Sequence, residues 1–132
     1  MKTIAFLITT PSLMFMEMGE YNGYVAVPPE HPLYGKGYDE PEVENLEVHG
    51  GVTFADTADK LPPTSEYLDH KEPPRDWWVF GFDTCHYDDS PDKWNCKTVA
   101  SETRKLQAQL ENLFAKIRCY NGVSTGKGGN AI

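Results

Sequence analysis

Val99, Thr103, Leu106, Leu110, Leu113, Ile117 and Tyr120 recur at spacings of 4, 3, 4, 3, 4 and 3. That period places them on one face of a helix. A helix of such length needs a surface on which to lay its apolar stripe; a sheet formed by the rest of the chain is expected to supply it, with a dimerising helix as the alternative. Thr98 is the expected N-cap and Glu102 suits the first turn. Lys116 and Arg118 suit the last turn, and Asn121-Gly122 supplies the stop.

The partner surface is expected from short β-prone runs. Residues 3–9 form an apolar run bounded by Pro11, and residues 77–82 (Trp-Trp-Val-Phe-Gly-Phe) are the most β-prone segment. Asn22-Gly23 carries a hairpin signal, with residues 24–27 as the returning strand. The Met-rich run 13–18 fits strand or helix. Residues 43–48 are expected as a strand, followed by a tight turn or bulge at Gly50-Gly51 and a further strand from Val52. Prolines and glycines make 28–38 a packed loop, and 56–76 is the longest irregular stretch. The expected class is α+β: a mostly antiparallel sheet, one long C-terminal helix and long irregular loops. Residues 1–122 read as a single globular domain and 123–132 as a flexible tail.

Composition narrows the partners. The chain has 132 residues, 39% of them hydrophobic, enough for one core. Twelve Lys and Arg stand against 20 Asp and Glu, a net charge of −8, which argues against DNA, RNA or an anionic membrane surface as partner. No apolar stretch reaches the ~18 residues of a membrane span. Residues 1–8 imitate a secretory signal, but Thr9-Thr10-Pro11 and Glu17 interrupt it without a small-x-small cleavage site. Cys85, Cys96 and Cys119 are odd in number and lack C-x-x-C spacing, so a reduced, cytoplasmic setting is expected. Loops 28–41 and 56–76 are long enough to complete a neighbour's pocket, which leaves room for a homo-oligomer.

Two stretches could carry chemistry. In His49-Gly50-Gly51-Val52-Thr53 the glycines would let backbone N–H groups approach an anion, the imidazole could move a proton, and Thr53 could donate a hydroxyl. In Gly81-Phe82-Asp83-Thr84-Cys85-His86, a strand ends at an acid able to orient His86. Paired strands 43–48 and 77–82 would bring both histidines to one cleft. His49 and His86 would then act as acid and base on a phosphodiester, with Asp83 orienting. Candidate cations are Arg75, Lys93 and Arg104; Trp77, Trp78, Tyr34 and Tyr38 could stack on a base. His49, Asp83, His86 and Asp88 could also form a mixed N/O metal set, but no H-x-H or H-E-x-x-H spacing supports it, and no cofactor is expected. Cys85 reads as a buried filler, and His31 and His70 as solvated.

The combined pattern H-G-G-x-T at 49–53 and W-x-x-G-F-D-x-x-H at 78–86, followed by Asp88 or Asp89, resembles small proteins of tailed phages and prophages. Gly23 to Pro28, His31-Pro32 and Tyr34-Gly35 look similar too, so the resemblance spans roughly residues 20–110. The pattern it resembles has a Cys soon after Gly-Phe-Asp; here Thr84 comes first and Cys85 second. Some phage proteins of this size counter host defence by sequestering or cleaving nucleotide second messengers. By that analogy the chain would cleave a cyclic (di)nucleotide immune signal in the host cytoplasm. The alternatives are a non-catalytic sponge for a cyclic nucleotide or ADP-ribose-type signal, and a protein-interaction domain without a small ligand. The resemblance marks His49, Gly50, Gly51, Thr53, Asp83 and His86, with Asp88 less firmly.

Overall fold

The computed structural model describes residues 2–10 and 18–123, with side chains described as far as Lys116. Beyond Val123 the expected tail, with most of the 13–18 run, lies outside these residues; Val123 itself ends α2, which continues through the stop expected at Asn121-Gly122. Five strands form one antiparallel sheet: β1 (Ile4–Thr9), β2 (Tyr21–Val27), β3 (Phe54–Thr57), β4 (Glu66–Tyr67) and β5 (Trp78–Phe82). Their order is β3-β5-β2-β1-β4. A short helix α1 (Pro41–Glu44), a single 3₁₀ turn at Ala58–Lys60 and a long helix α2 (Cys96–Val123) complete the regular structure of the described residues. The α+β class is as expected.

Both faces of the central strands are covered, which is why 4–8 reads as a continuous apolar run rather than an alternating one. Ala5, Leu7, Val25, Val27, Phe80 and Phe82 share one core cluster with Val99, Leu106 and Leu110 of α2. Ile4, Phe6, Ile8, Tyr24, Ala26 and Val79 form the opposite cluster, where Ala58, Leu61 and Trp77 from the long 56–77 region pack. A fully buried Leu or Val contributes roughly 1.5–3 kcal/mol, so α2 is held far more by this stripe than by helix propensity. Phe114 and Gln107 also lie buried on the helix face, beside the expected positions. The side chains of Ile117 and Tyr120 lie outside the described residues.

Several local expectations are corrected. Asn22-Gly23 is not a hairpin turn but lies inside β2, where Gly23 pairs with Leu7 on one side and Phe82 on the other. A Cβ at Gly23 would run into the Thr103 hydroxyl and the Phe82 ring, so the glycine serves close helix–sheet approach. Residues 43–48 are not a strand. Pro41 sits at the start of α1, and Val43 and Leu46, three apart, are buried as helical-turn spacing requires. The strand after the glycines begins at Phe54, not Val52, and pairs with β5. The cap of α2 falls earlier than Thr98: the Asn95 side chain accepts the Thr98 N–H at 3.1 Å.

His31 is buried rather than solvated, at 3% exposure. Its Nδ1 accepts from the Leu33 N–H at 3.0 Å, which assigns the proton to Nε2, and Nε2 donates to the Leu110 carbonyl at 2.9 Å. Burial lowers its pKa below the ordinary 6.5, against the raising effect of the Leu110 carbonyl. The unfolded chain therefore takes up this proton first as pH falls. Wild type should lose stability relative to His31→Gln as pH drops below about 6.5, measured by urea unfolding at several pH values. At Gly23, substitution by Ala should cost about 1–3 kcal/mol through overpacking, seen as a lower unfolding midpoint.

Candidate functional site

Strand β5 delivers Asp83 just beyond its end, and a tight turn follows. The Asp89 N–H bonds the His86 carbonyl at 2.9 Å, closing the turn. The Asp89 carboxylate reaches back to accept the His86 N–H at 3.0 Å. His49 arrives from the other side on the loop after α1. Its backbone N–H donates to Glu102 of α2 at 2.7 Å, and the Gly51 N–H bonds Val48 at 2.8 Å, forming the expected glycine turn. Gly50 and Gly51 both have positive φ, at 71° and 81°.

The two imidazoles meet edge to face, with centroids 4.8 Å apart. The pairing of strands 43–48 and 77–82 expected to bring them together does not exist; a loop and a turn do it instead. The group that joins them is Asp89. His49 Nε2 lies 3.0 Å from both of its oxygens, and His86 Nδ1 lies 2.8 Å from Oδ2. Asp83 touches the other end of the same ring, with Oδ1 3.4 Å from His86 Nε2. His49 stacks on Trp94 at 4.0 Å. Gly50 presses so closely on His86 that a Cβ there would overlap the ring. One glycine of the pair thus makes room for an imidazole.

Burial raises the pKa of Asp89, but hydrogen bonds from His49 and His86 outweigh it and hold the carboxyl below its ordinary 3.8. Its side chain is 5% exposed, against 24% for His49 and 36% for His86. His86 and Asp89 line an open hollow of about 570 Å³ with Cys85, Tyr87, Asp88, Ser90 and Lys93. His49 touches His86 but is not among the lining residues.

The remaining sequence candidates are dispersed. Thr53 is exposed beyond the glycine turn, with its N–H on the Gly81 carbonyl. Trp78 lies at the opposite end of β5 from Asp83, its indole N–H donating to the Lys36 carbonyl, and Tyr34 packs against it at 5.9 Å. Arg75 lines a separate cleft with Phe6, Leu61 and Pro62. Arg104 is engaged with Asp69 at 2.7 Å and with the Leu68 carbonyl. Of the three cations, Lys93 is the one at the hollow. Asp88, a candidate metal ligand, is solvent-facing. Sequence reasoning gave Trp94 and Glu102 no place at the site, and Asp89 entered it only as the alternative to Asp88 in the resembled pattern. The His86-x-x-Asp89 spacing was the available signal, because residues three apart can meet across a turn.

No helix of the described residues is long and apolar enough to cross a membrane. Against known proteins, the chain matches no family model, no curated protein and no solved structure.

Asp89→Asn should cost about 2 kcal/mol at neutral pH, because an amide cannot accept all three donors. The depressed carboxyl of the wild type contributes stability above its ordinary 3.8 and loses it as pH falls through the lower folded value. The deficit of the variant should therefore shrink on acidification to roughly pH 3, which urea unfolding at both pH values would record.

Proposed function

We propose that the chain cleaves a phosphodiester bond of a cyclic (di)nucleotide signal, with His86 and His49 dividing the acid and base work. The observation that carries this reading is the pair of touching imidazoles anchored on one buried carboxylate beside an open polar hollow. Asp89 holds each ring by one nitrogen, so His49 Nδ1 and His86 Nε2, the latter beside the Asp83 carboxylate, are the nitrogens through which protons are exchanged. One imidazole removes a proton from water or a ribose 2′-hydroxyl, and that oxygen attacks phosphorus. The P–O bond to the leaving oxygen breaks, and the other, protonated ring donates its proton to that oxygen. Lys93 is placed to meet the phosphate charge. Tyr87, 99% exposed at the rim, offers a face for a base in place of the distant Trp78 and Tyr34.

The biological setting, phage-type neutralisation of a nucleotide immune signal in the host cytoplasm, follows from the resemblance of the two motifs. Incubation with a panel of cyclic dinucleotides, read by chromatography, should give new linear products. His49→Ala and His86→Ala should each reduce turnover roughly 100- to 10,000-fold. Intact nucleotide recovered after denaturation would mean sequestration instead. No product and no thermal shift with any nucleotide would favour a protein-interaction domain.

A further inference from the structure

The atoms that join the two imidazoles also describe a coordination triangle. His49 Nε2, His86 Nδ1 and an Asp89 oxygen lie within 4.8 Å of one another. Zinc takes imidazole nitrogen at about 2.0–2.1 Å and carboxylate oxygen at about 2.0–2.2 Å, which puts neighbouring tetrahedral ligands roughly 3.3 Å apart. Asp89 already stands 3.0 Å from the first nitrogen and 2.8 Å from the second. A shift of a few tenths of an ångström opens those two edges, and the two nitrogens need to close on each other. Three protein ligands leave a fourth position for water.

Two independent features fit an ion here. Asp83 lies behind His86, 3.4 Å from Nε2. With an ion bound, a carboxylate there would hold the ring proton on Nε2 while Nδ1, which otherwise donates to Asp89, turns its lone pair to the metal, the recurring arrangement behind ligating histidines. The local charge also asks for a cation: Asp83, Asp88 and Asp89 gather where Lys93 is, among the described residues, the one lysine or arginine lining the hollow. Asp88, exposed and turned toward Lys93, has no place in the ligand set; Asp89 takes it.

We infer that His49, His86 and Asp89 bind one divalent transition-metal ion of the zinc type, with Asp83 as a positioning residue behind His86. Loading requires the protons that His49 Nε2 and His86 Nδ1 share with Asp89 to leave those nitrogens, each ring then carrying a single proton on His49 Nδ1 or His86 Nε2, any surplus proton going to solvent and Asp89 staying ionised. A loaded site then has no free imidazole base, so the ion and the acid/base pair compete for the same two rings.

The test reads binding without turnover, so it stands apart from the cleavage proposal. The full chain, freed of metal with a chelator, is titrated with zinc chloride by calorimetry and with cobalt(II) by visible absorption. One ion per chain is expected. Asp89→Ala and His49→Ala should each weaken zinc binding at least about 100-fold, and Asp83→Asn about 10-fold with the unfolding midpoint unchanged. Absence of stoichiometric zinc on folded wild type overturns the inference, as does wild-type affinity in all three variants. If circular dichroism shows the first two variants unfolded, Asp83→Asn decides: unchanged affinity there removes the positioning role and the site with it.

Discussion

Three of the connecting segments, through His31, through Glu47 and His49, and through Leu68 and Asp69, are fastened to α2. The helix lays Val99, Leu106 and Leu110 into the sheet core, and its flanks then bind what the sheet leaves loose. Glu102 holds the backbone of His49, and Gln109 clasps both backbone groups of Glu47. Arg104 and Gln107 hold Asp69, which in turn accepts the Ala5 N–H of β1. The Leu110 carbonyl receives His31, and Glu111 takes the N–H and hydroxyl of Thr3. Most of these links are polar and join residues far apart in sequence, so each sets a loop's position while the apolar stripe supplies the bulk of the stability.

The site inherits its geometry from that arrangement. His86 is set by a short turn at the end of β5, and His49 by Glu102, so two separately held segments converge on one carboxylate. An ionised Asp89 with three donors is favourable only while all three remain in place; losing one leaves a nearly buried charge short of a partner. This couples the orientation of both imidazoles to the packing of α2. It also explains why Gly50 carries no side chain: the approach of His86 uses that space.

What was legible in the sequence followed from periodicity. The helix stripe and the runs at 4–9 and 78–82 announce themselves, because burial imposes a period on side chains. The juxtaposition was half legible: the two histidines do meet, but the sequence singled out Asp83 as their partner and gave Asp89 no place between them. Only the turn decides that Asp89 folds back between the rings while Asp83 meets His86 from the far side. Gly23 and Val43 show the same limit from the other direction. A glycine beside an asparagine signals a turn until a helix is found pressing on it, and a short apolar alternation signals a strand until Pro41 starts a helical turn.

The central claim is spatial: residues 49 and 86 present their rings to each other across Asp89. A nuclear Overhauser measurement on the folded chain, with histidine ring protons assigned, addresses it without any ligand. Centroids at 4.8 Å predict direct cross-peaks between the two rings, and the stacking at 4.0 Å predicts further ones from His49 to the Trp94 indole. Well-resolved His49 and His86 ring signals with no cross-peak between them would contradict the account.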